Sequence, residues 1–424
     1  MNNAARQTDD SFVTRRLPNG MTVALERLPY LHSAAAGVWV KTGSANETAE
    51  RSGVSHLLEH LFFKGTASRS TRELMDAIEA RGGHLNAFTS REYTCIYANS
   101  LDTHVATVIE ILADIAKNSR LNDFEKERNV VLEEITSNMD VPEDRIHDLF
   151  AQRLWPGHSL GRPVAGTAES VASLTLEDVR SYYEAWYAPE NMVFSVAGNI
   201  DTEAVFDQVR AEFEPLAEIQ PPARCPAPIF GAGVTYEERD IAQNHVCFGF
   251  PGPAASDDRR YIYDMLSNAL GGGFTSRLFE RIREHEGLAY SVYTFHSCYL
   301  SAGMFGVYAA TAPENLPRVL DLSCDELRKL RETPVSPEEL ESNREQLKGT
   351  MFMALESTFN RMSRMAKSLL YHGRIIGVDE VVERIDAVTA DDIQALAQEL
   401  FDPGKCAMAV LAPLNGRRVE ALPL

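Results

Sequence analysis

Apolar residues fall into two kinds of run along the chain. Short blocks at 21–25, 34–40, 95–98, 193–197, 245–250, 304–309 and 407–411 are dense in apolar and β-branched residues and predict strands. Longer segments between them carry helical spacing. In 125–135, for example, Glu127, Val130, Val131 and Glu134 occupy i, i+3, i+4 and i+7, a stripe expected to face a core. Strand and helix signals are mixed rather than strictly alternating, which favours an α+β fold over a doubly wound parallel sheet.

The stretch 215–234 is rich in Pro, Ala and Gly, lacks either periodicity and reads as a linker near the midpoint. A repeat flanks it. The segment 173–179, centred on Thr175, recurs as 387–393 around Thr389, and 187–198 matches 401–412 in the same register. Both threonines are plausible N-caps followed by acidic residues that suit a helix start. The expected organisation is two homologous lobes, 1–218 and 235–424, joined by a linker at 219–234.

Length agrees with this division, because 424 residues exceed the ~250 at which a single core stops growing. The six cysteines are dispersed without a Cys-x-x-Cys pair, which argues against a disulfide framework or a cysteine-built metal site. A formal charge of −20 disfavours nucleic acid and anionic membranes as partners. No apolar run reaches membrane-spanning length, and 1–12 lacks the basic start and apolar core of a signal peptide. The expectation is a soluble, cytoplasmic protein.

Candidate chemistry appears at His56, Glu59 and His60. On a helix these positions share one face. Two neutral imidazoles suit zinc, and an adjacent carboxylate can take a proton from the water that attacks a peptide carbonyl. The order His-x-x-Glu-His inverts the commoner His-Glu-x-x-His; the bland alternative is a helix with two ordinary histidines. A catalytic zinc needs a third protein ligand. Burying Glu127 and Glu134 on the apolar stripe would be costly without a metal or a polar partner, whereas Glu133 points towards solvent with Lys126 and Ser137. Glu134 is therefore the ligand candidate and Glu127 a group that could orient a histidine, against the alternative of a solvated acidic helix.

His56, Glu59 and His60 followed by Glu127 and Glu134 resemble the pitrilysin and insulinase family, and the resemblance extends over nearly the whole chain. Segments 17–20, 38–44, 85–92, 270–279 and 287–292 support it. The chain is most similar to short bacterial members and to the zinc-bearing beta subunit of mitochondrial processing peptidase. The resemblance implies a clamshell half of two duplicated α/β sandwich lobes, with one Zn2+ per chain on His56, His60 and Glu134 and Glu59 as general base. It also implies that Asn86, Ala87 and Phe88 form an edge strand that receives extended substrate; pattern alone leaves an interior strand open. Arg283 and Tyr290 match a second-lobe pair that contacts substrate or the tetrahedral intermediate, although an Arg and a Tyr so placed are otherwise an ordinary helix charge and a core residue. Gly271, Gly272 and Gly273 resemble a glycine-rich loop of the processing peptidase; a helix C-cap and turn is the alternative.

These features imply a zinc endopeptidase cleaving short, unfolded or presequence-like polypeptides. Asp144 and Asp148, one helical turn apart, match acidic positions that recognise an arginine near the cut, or else form a solvated face. Longer family members hold four domains in one polypeptide, so a chain of this length implies a homodimer with Arg283 and Tyr290 facing the partner's zinc. The rival readings are a non-catalytic scaffold of the same fold and a catalytic subunit that needs a distinct partner chain.

Overall fold

The computed structural model describes residues 12–414, 418–419 and 421–424. The first half runs β1 (Phe12–Arg16), β2 (Thr22–Arg27), β3 (Ser33–Val40), α1 (Val54–Phe62), α2 (Thr71–Glu79), β4 (His84–Thr89), β5 (Thr94–Leu101), α3 (Val105–Asn118), α4 (Phe124–Asp140), α5 (Pro142–Leu154), α6 (Ala168–Ser173), α7 (Leu176–Trp186), β6 (Met192–Gly198) and α8 (Thr202–Phe213). The second adds β7 (Gly233–Arg239), β8 (Asn244–Gly252), α9 (Arg260–Gly271), β9 (Ala289–Cys298), β10 (Gly303–Thr311), α10 (Leu316–Glu332), α11 (Pro337–Ala354), α12 (Thr358–His372), α13 (Val378–Ala387), α14 (Ala390–Leu400) and β11 (Ala407–Pro413). Each predicted strand block overlaps a strand. β1, β7 and β9, whose residues are only partly buried, escaped the apolar pattern.

The fold is α+β, with two sheets of matching topology. One is six-stranded in the order β1-β2-β6-β3-β5-β4 and the other five-stranded in the order β7-β11-β8-β10-β9. Each has one parallel pair, β2 with β6 and β7 with β11, beside antiparallel neighbours. The repeat seen in sequence is present in detail. Thr175 and Thr389 each cap a helix, with Asp178 and Asp392 closing a reciprocal capping box, and each helix leads into the strand that pairs in parallel.

The compact units do not follow the linear halves. One comprises the described part of Met1–Ile135 with Pro163–Cys225 and Phe352–Glu380, and the other comprises Thr136–Arg162, Pro226–Met351 and Val381–Leu424. Each unit thus takes one helix from the opposite half of the sequence. The reason is that β3 is buried along almost its whole length, so both faces of its sheet need cover. One face packs on α1, α3 and α8. On the other, α12 lays Met362, Met365, Ala366 and Leu369 against Ala24, Ala35, Trp39 and Val193. The Trp39 indole donates to the Met362 sulfur at 3.1 Å, and Arg361 pairs with the buried Glu26. In the second unit α5 buries Ile146, Leu149 and Phe150, and Arg145 bridges to Glu237 at 2.6 Å. A division at 218 and 235 therefore describes the repeat but not the packing.

Among the described residues no helix is long and apolar enough to cross a membrane. All six cysteines are free thiols, four of them buried.

Candidate metal centre

The helix that carries both histidines begins where Gly53 takes φ +94, a conformation open to glycine; a Cβ there would also lie 2.5 Å from the Ala165 carbonyl oxygen. The helix is capped from outside. The Glu47 carboxylate accepts the backbone N–H of Gly53 at 2.8 Å and of Ser55 at 2.9 Å, placing negative charge at the helix N-terminus. The buried Tyr182 hydroxyl ties Thr42, at 2.6 Å, to Ser55, at 2.8 Å. Leu57, Leu58, Leu61 and Phe62 are buried, which leaves His56, Glu59 and His60 half-buried on the opposite arc.

The second helix, α4, departs from the predicted phase. Its buried residues are Phe124, Glu127, Val131 and Ile135, while Val130 is 44% exposed. At ~100° per residue the packed arc is centred on Val131, so Val130 falls outside it and Glu134 lies at its margin. Glu133 is exposed, as expected.

The two helices bring His56, His60 and Glu134 together, with one potential ligand atom from each lying within 4.8 Å of the others. Nε2 of His56 is 3.5 Å from Glu134 Oε1, and Nε2 of His60 is 3.4 Å from Glu134 Oε2. Both distances are longer than an ordinary N–H···O hydrogen bond. They leave the three side chains spaced so that one cation could reach a ligand atom of each. Burial holds the His56 imidazole down to about 4, against the pull of Glu134, so it stands neutral as a metal ligand must. Its Nδ1 is buried without a hydrogen-bond partner. The residues present fit a zinc ion.

Around them stand groups that complete the site. Glu59 accepts a hydrogen bond from the Thr89 hydroxyl at 2.6 Å, and burial pushes its carboxyl above the ordinary range in opposition to that bond. Glu127, 3% exposed, places Oε2 3.6 Å from His60 Nδ1, on the ring edge away from Glu134, and Oε1 2.9 Å from Lys64 Nζ. Thr89 and Lys64 were not singled out from sequence. Lys64 follows His60 by one helical turn, and Thr89 lies within the segment that carried the family resemblance, so position offered the only signal.

Thr89 ends β4, which forms one edge of the six-stranded sheet beside β5. Asn86, Ala87 and Phe88 therefore lie on an edge strand and not an interior one. Ala87 is paired with Ile96 of β5, and its N–H donates to the Asn86 side chain at 2.8 Å and not to that neighbour. The strand that ends at Glu59's partner thus has one side without a neighbouring strand among the described residues.

The remaining candidates lie in the second unit. Arg283, in the π-helical segment Phe279–His285, sits 4.7 Å from the Tyr290 ring centroid and 4.6 Å from that of Phe279. Tyr290 is 79% exposed, so it is not the core residue that pattern alone allowed. Asp144 and Asp148 share helix α5, Asp144 exposed and Asp148 half-buried. Gly271 ends α9 and Gly272 is its C-cap; a Cβ on Gly271 would meet the Thr294 nitrogen at 2.5 Å. Close packing at a helix end accounts for those two glycines.

Residues 22–168 match the family profile described as insulinase (peptidase family M16), and 173–347 match one described as the peptidase M16 inactive domain. The chain is 40% identical to an uncharacterized zinc protease of Streptomyces coelicolor, over 96% of this chain and 90% of that one. It is 39% identical to an uncharacterized zinc protease of Bacillus subtilis, over 93% of this chain and 97% of the other. Its fold is similar to that of a Helicobacter pylori protease, with a TM-score of 0.88 at 24% identity over 95% of this chain and 99% of that one. It is also similar to a chain of complex III2 from Candida albicans, with a TM-score of 0.85 at 21% identity over 94% and 95%.

Proposed function

The chain belongs to the insulinase family, peptidase family M16, and from that premise we propose that it is a zinc-dependent endopeptidase cleaving short, unfolded or presequence-like polypeptides. The observation that carries this reading is the cluster of His56, His60 and Glu134, one potential ligand atom from each within 4.8 Å of the others, with Glu59 next to His60. His56, His60 and Glu134 would hold one zinc per chain, which would supply Lewis acidity for the scissile carbonyl and for water. Glu59 takes the proton of the attacking water and returns it to the leaving nitrogen; a carboxyl raised by burial is suited to both transfers. Thr89 holds that carboxylate at the end of β4. Main-chain groups of Asn86, Ala87 and Phe88 pair with an extended substrate, which a folded protein cannot offer. A scaffold role has no use for this constellation.

The working form in this reading is a cytoplasmic homodimer in which Arg283 and Tyr290 of one chain would face the partner's metal site and donate to the scissile carbonyl oxygen as negative charge develops on it. Asp144 and Asp148 favour an arginine on the N-terminal side of the cut. Cleavage mapping on an unstructured peptide, with and without chelator, tests the activity. Mixing His56→Ala with Arg283→Ala protein under subunit exchange tests the dimer. Each variant alone is expected to be nearly inactive, and the mixture regains one intact site; no recovery despite demonstrated exchange rules out sharing.

A further inference from the structure

The first unit holds a charged group that the mechanism above does not use. Lys64 lies just beyond the end of α1, and its ammonium is 2.9 Å from Glu127 Oε1. Glu127 is a buried carboxylate whose other oxygen faces His60 Nδ1 at 3.6 Å. That distance is too long for a hydrogen bond, so the partner at contact distance is Lys64. A carboxylate so buried needs a cation close by, and the cation fixes where it sits.

Lys64 is itself held in place from both sides. Its N–H donates to the Leu61 carbonyl at 3.1 Å, continuing α1 into the loop. Its carbonyl accepts from the Asn122 side chain at 3.3 Å, directly before α4. Asn122 lies between Leu121 at φ +55 and Asp123 at φ +58, a left-handed turn of non-glycine residues that persists only where its surroundings impose it. The loop after Lys64 is anchored on buried Asp114, which accepts from Thr66, Ser68 and Arg69, each at 2.7 Å. Lys64 therefore joins the end of the helix bearing both histidines to the start of the helix bearing Glu134, once through its backbone and once through its side chain.

We propose that Lys64 is a positioning residue for metal binding: its ammonium holds Glu127 against His60 Nδ1 and so keeps His60 Nε2 turned towards Glu134. The inference rests on the zinc reading above, and it assigns Lys64 no contact with metal or substrate. Because it acts through Glu127, its effect should vanish when Glu127 is neutral.

The test measures zinc affinity by competition with a chromophoric chelator, alongside thermal melting of the metal-free proteins. Lys64→Met is expected to weaken zinc about ten- to a hundredfold, the range typical of groups that orient a ligand, while Lys64→Arg retains most of the affinity. Glu127→Gln should weaken zinc similarly, and Lys64→Met/Glu127→Gln should match Glu127→Gln alone. The double variant leaves no buried carboxylate unpaired at this position, so that comparison decides even if Lys64→Met fails to fold. Wild-type affinity in Lys64→Met, or a further tenfold loss in the double variant, overturns the proposal. Absence of zinc binding in the wild type overturns the zinc reading and this proposal together.

Discussion

The phase of α4 yields a sharp comparison between adjacent carboxylates. Glu134 lies 3.4 and 3.5 Å from the two histidine Nε2 atoms, whereas Glu133 is exposed and belongs to no metal-ligating cluster among the described residues. Glu134→Gln keeps the shape of the side chain but removes the anionic oxygen that zinc requires. Protein zinc sites of four ligands bind with roughly 10–16 kcal/mol, so one ligand is worth on the order of 3 kcal/mol, or ~10²-fold in affinity. Glu133→Gln removes an equal charge one residue away; its long-range effect in solvent should stay within ~1 kcal/mol. Isothermal titration of zinc into each metal-free protein, with circular dichroism as a check on folding, reads the difference. Equal losses in both variants would show that net charge and not ligation governs the site. Loss only in Glu133→Gln would refute the placement of α4.

Thr89→Val should leave zinc affinity intact but slow turnover by about tenfold, because Glu59 loses the 2.6 Å bond that aims it; steady-state kinetics with metal analysis separates the two effects. Met362→Ala should destabilise the protein by about 2–5 kcal/mol, read by urea unfolding, since Met362 is fully buried against Trp39 on the face covered by the exchanged helix. The Asp114 carboxyl is held below its ordinary range by bonds from Asn118, Thr66, Ser68 and Arg69 that outweigh burial. A depressed folded pKa stabilises above the unfolded value and loses that contribution on acidification. Stability curves of wild type and Asp114→Asn should therefore converge below about pH 4.

The repeat was legible because both copies use the same local device, a threonine cap closed by aspartate, which leaves a signature in a few consecutive residues. The histidine pair and Glu59 were legible because one helix carries all three at fixed spacing. Helical periodicity put Glu134 near the side of α4 that meets His56 and His60 but misplaced Val130: one amphipathic stripe cannot say where its packed arc is centred. The exchange of α5 and α12 between units was not legible. Both helices show an apolar face, yet nothing in such a face tells which of two similar sheets it will cover. Thr89 and Lys64 were missed for a related reason, because each acts through a single contact made across the fold.

The central claim is that this chain uses a metal to cleave peptides with Glu59 moving the proton. The measurement that tests it most directly pairs zinc stoichiometry with mass-spectrometric cleavage mapping on one unstructured peptide, for the wild type and Glu59→Gln. The account predicts one zinc per chain in both proteins, cleavage by the wild type that chelation abolishes and zinc restores, and a loss of at least about a hundredfold in turnover in Glu59→Gln. Cleavage by Glu59→Gln at the wild-type rate, or wild-type cleavage indifferent to chelator in protein shown to be metal-free, would contradict it.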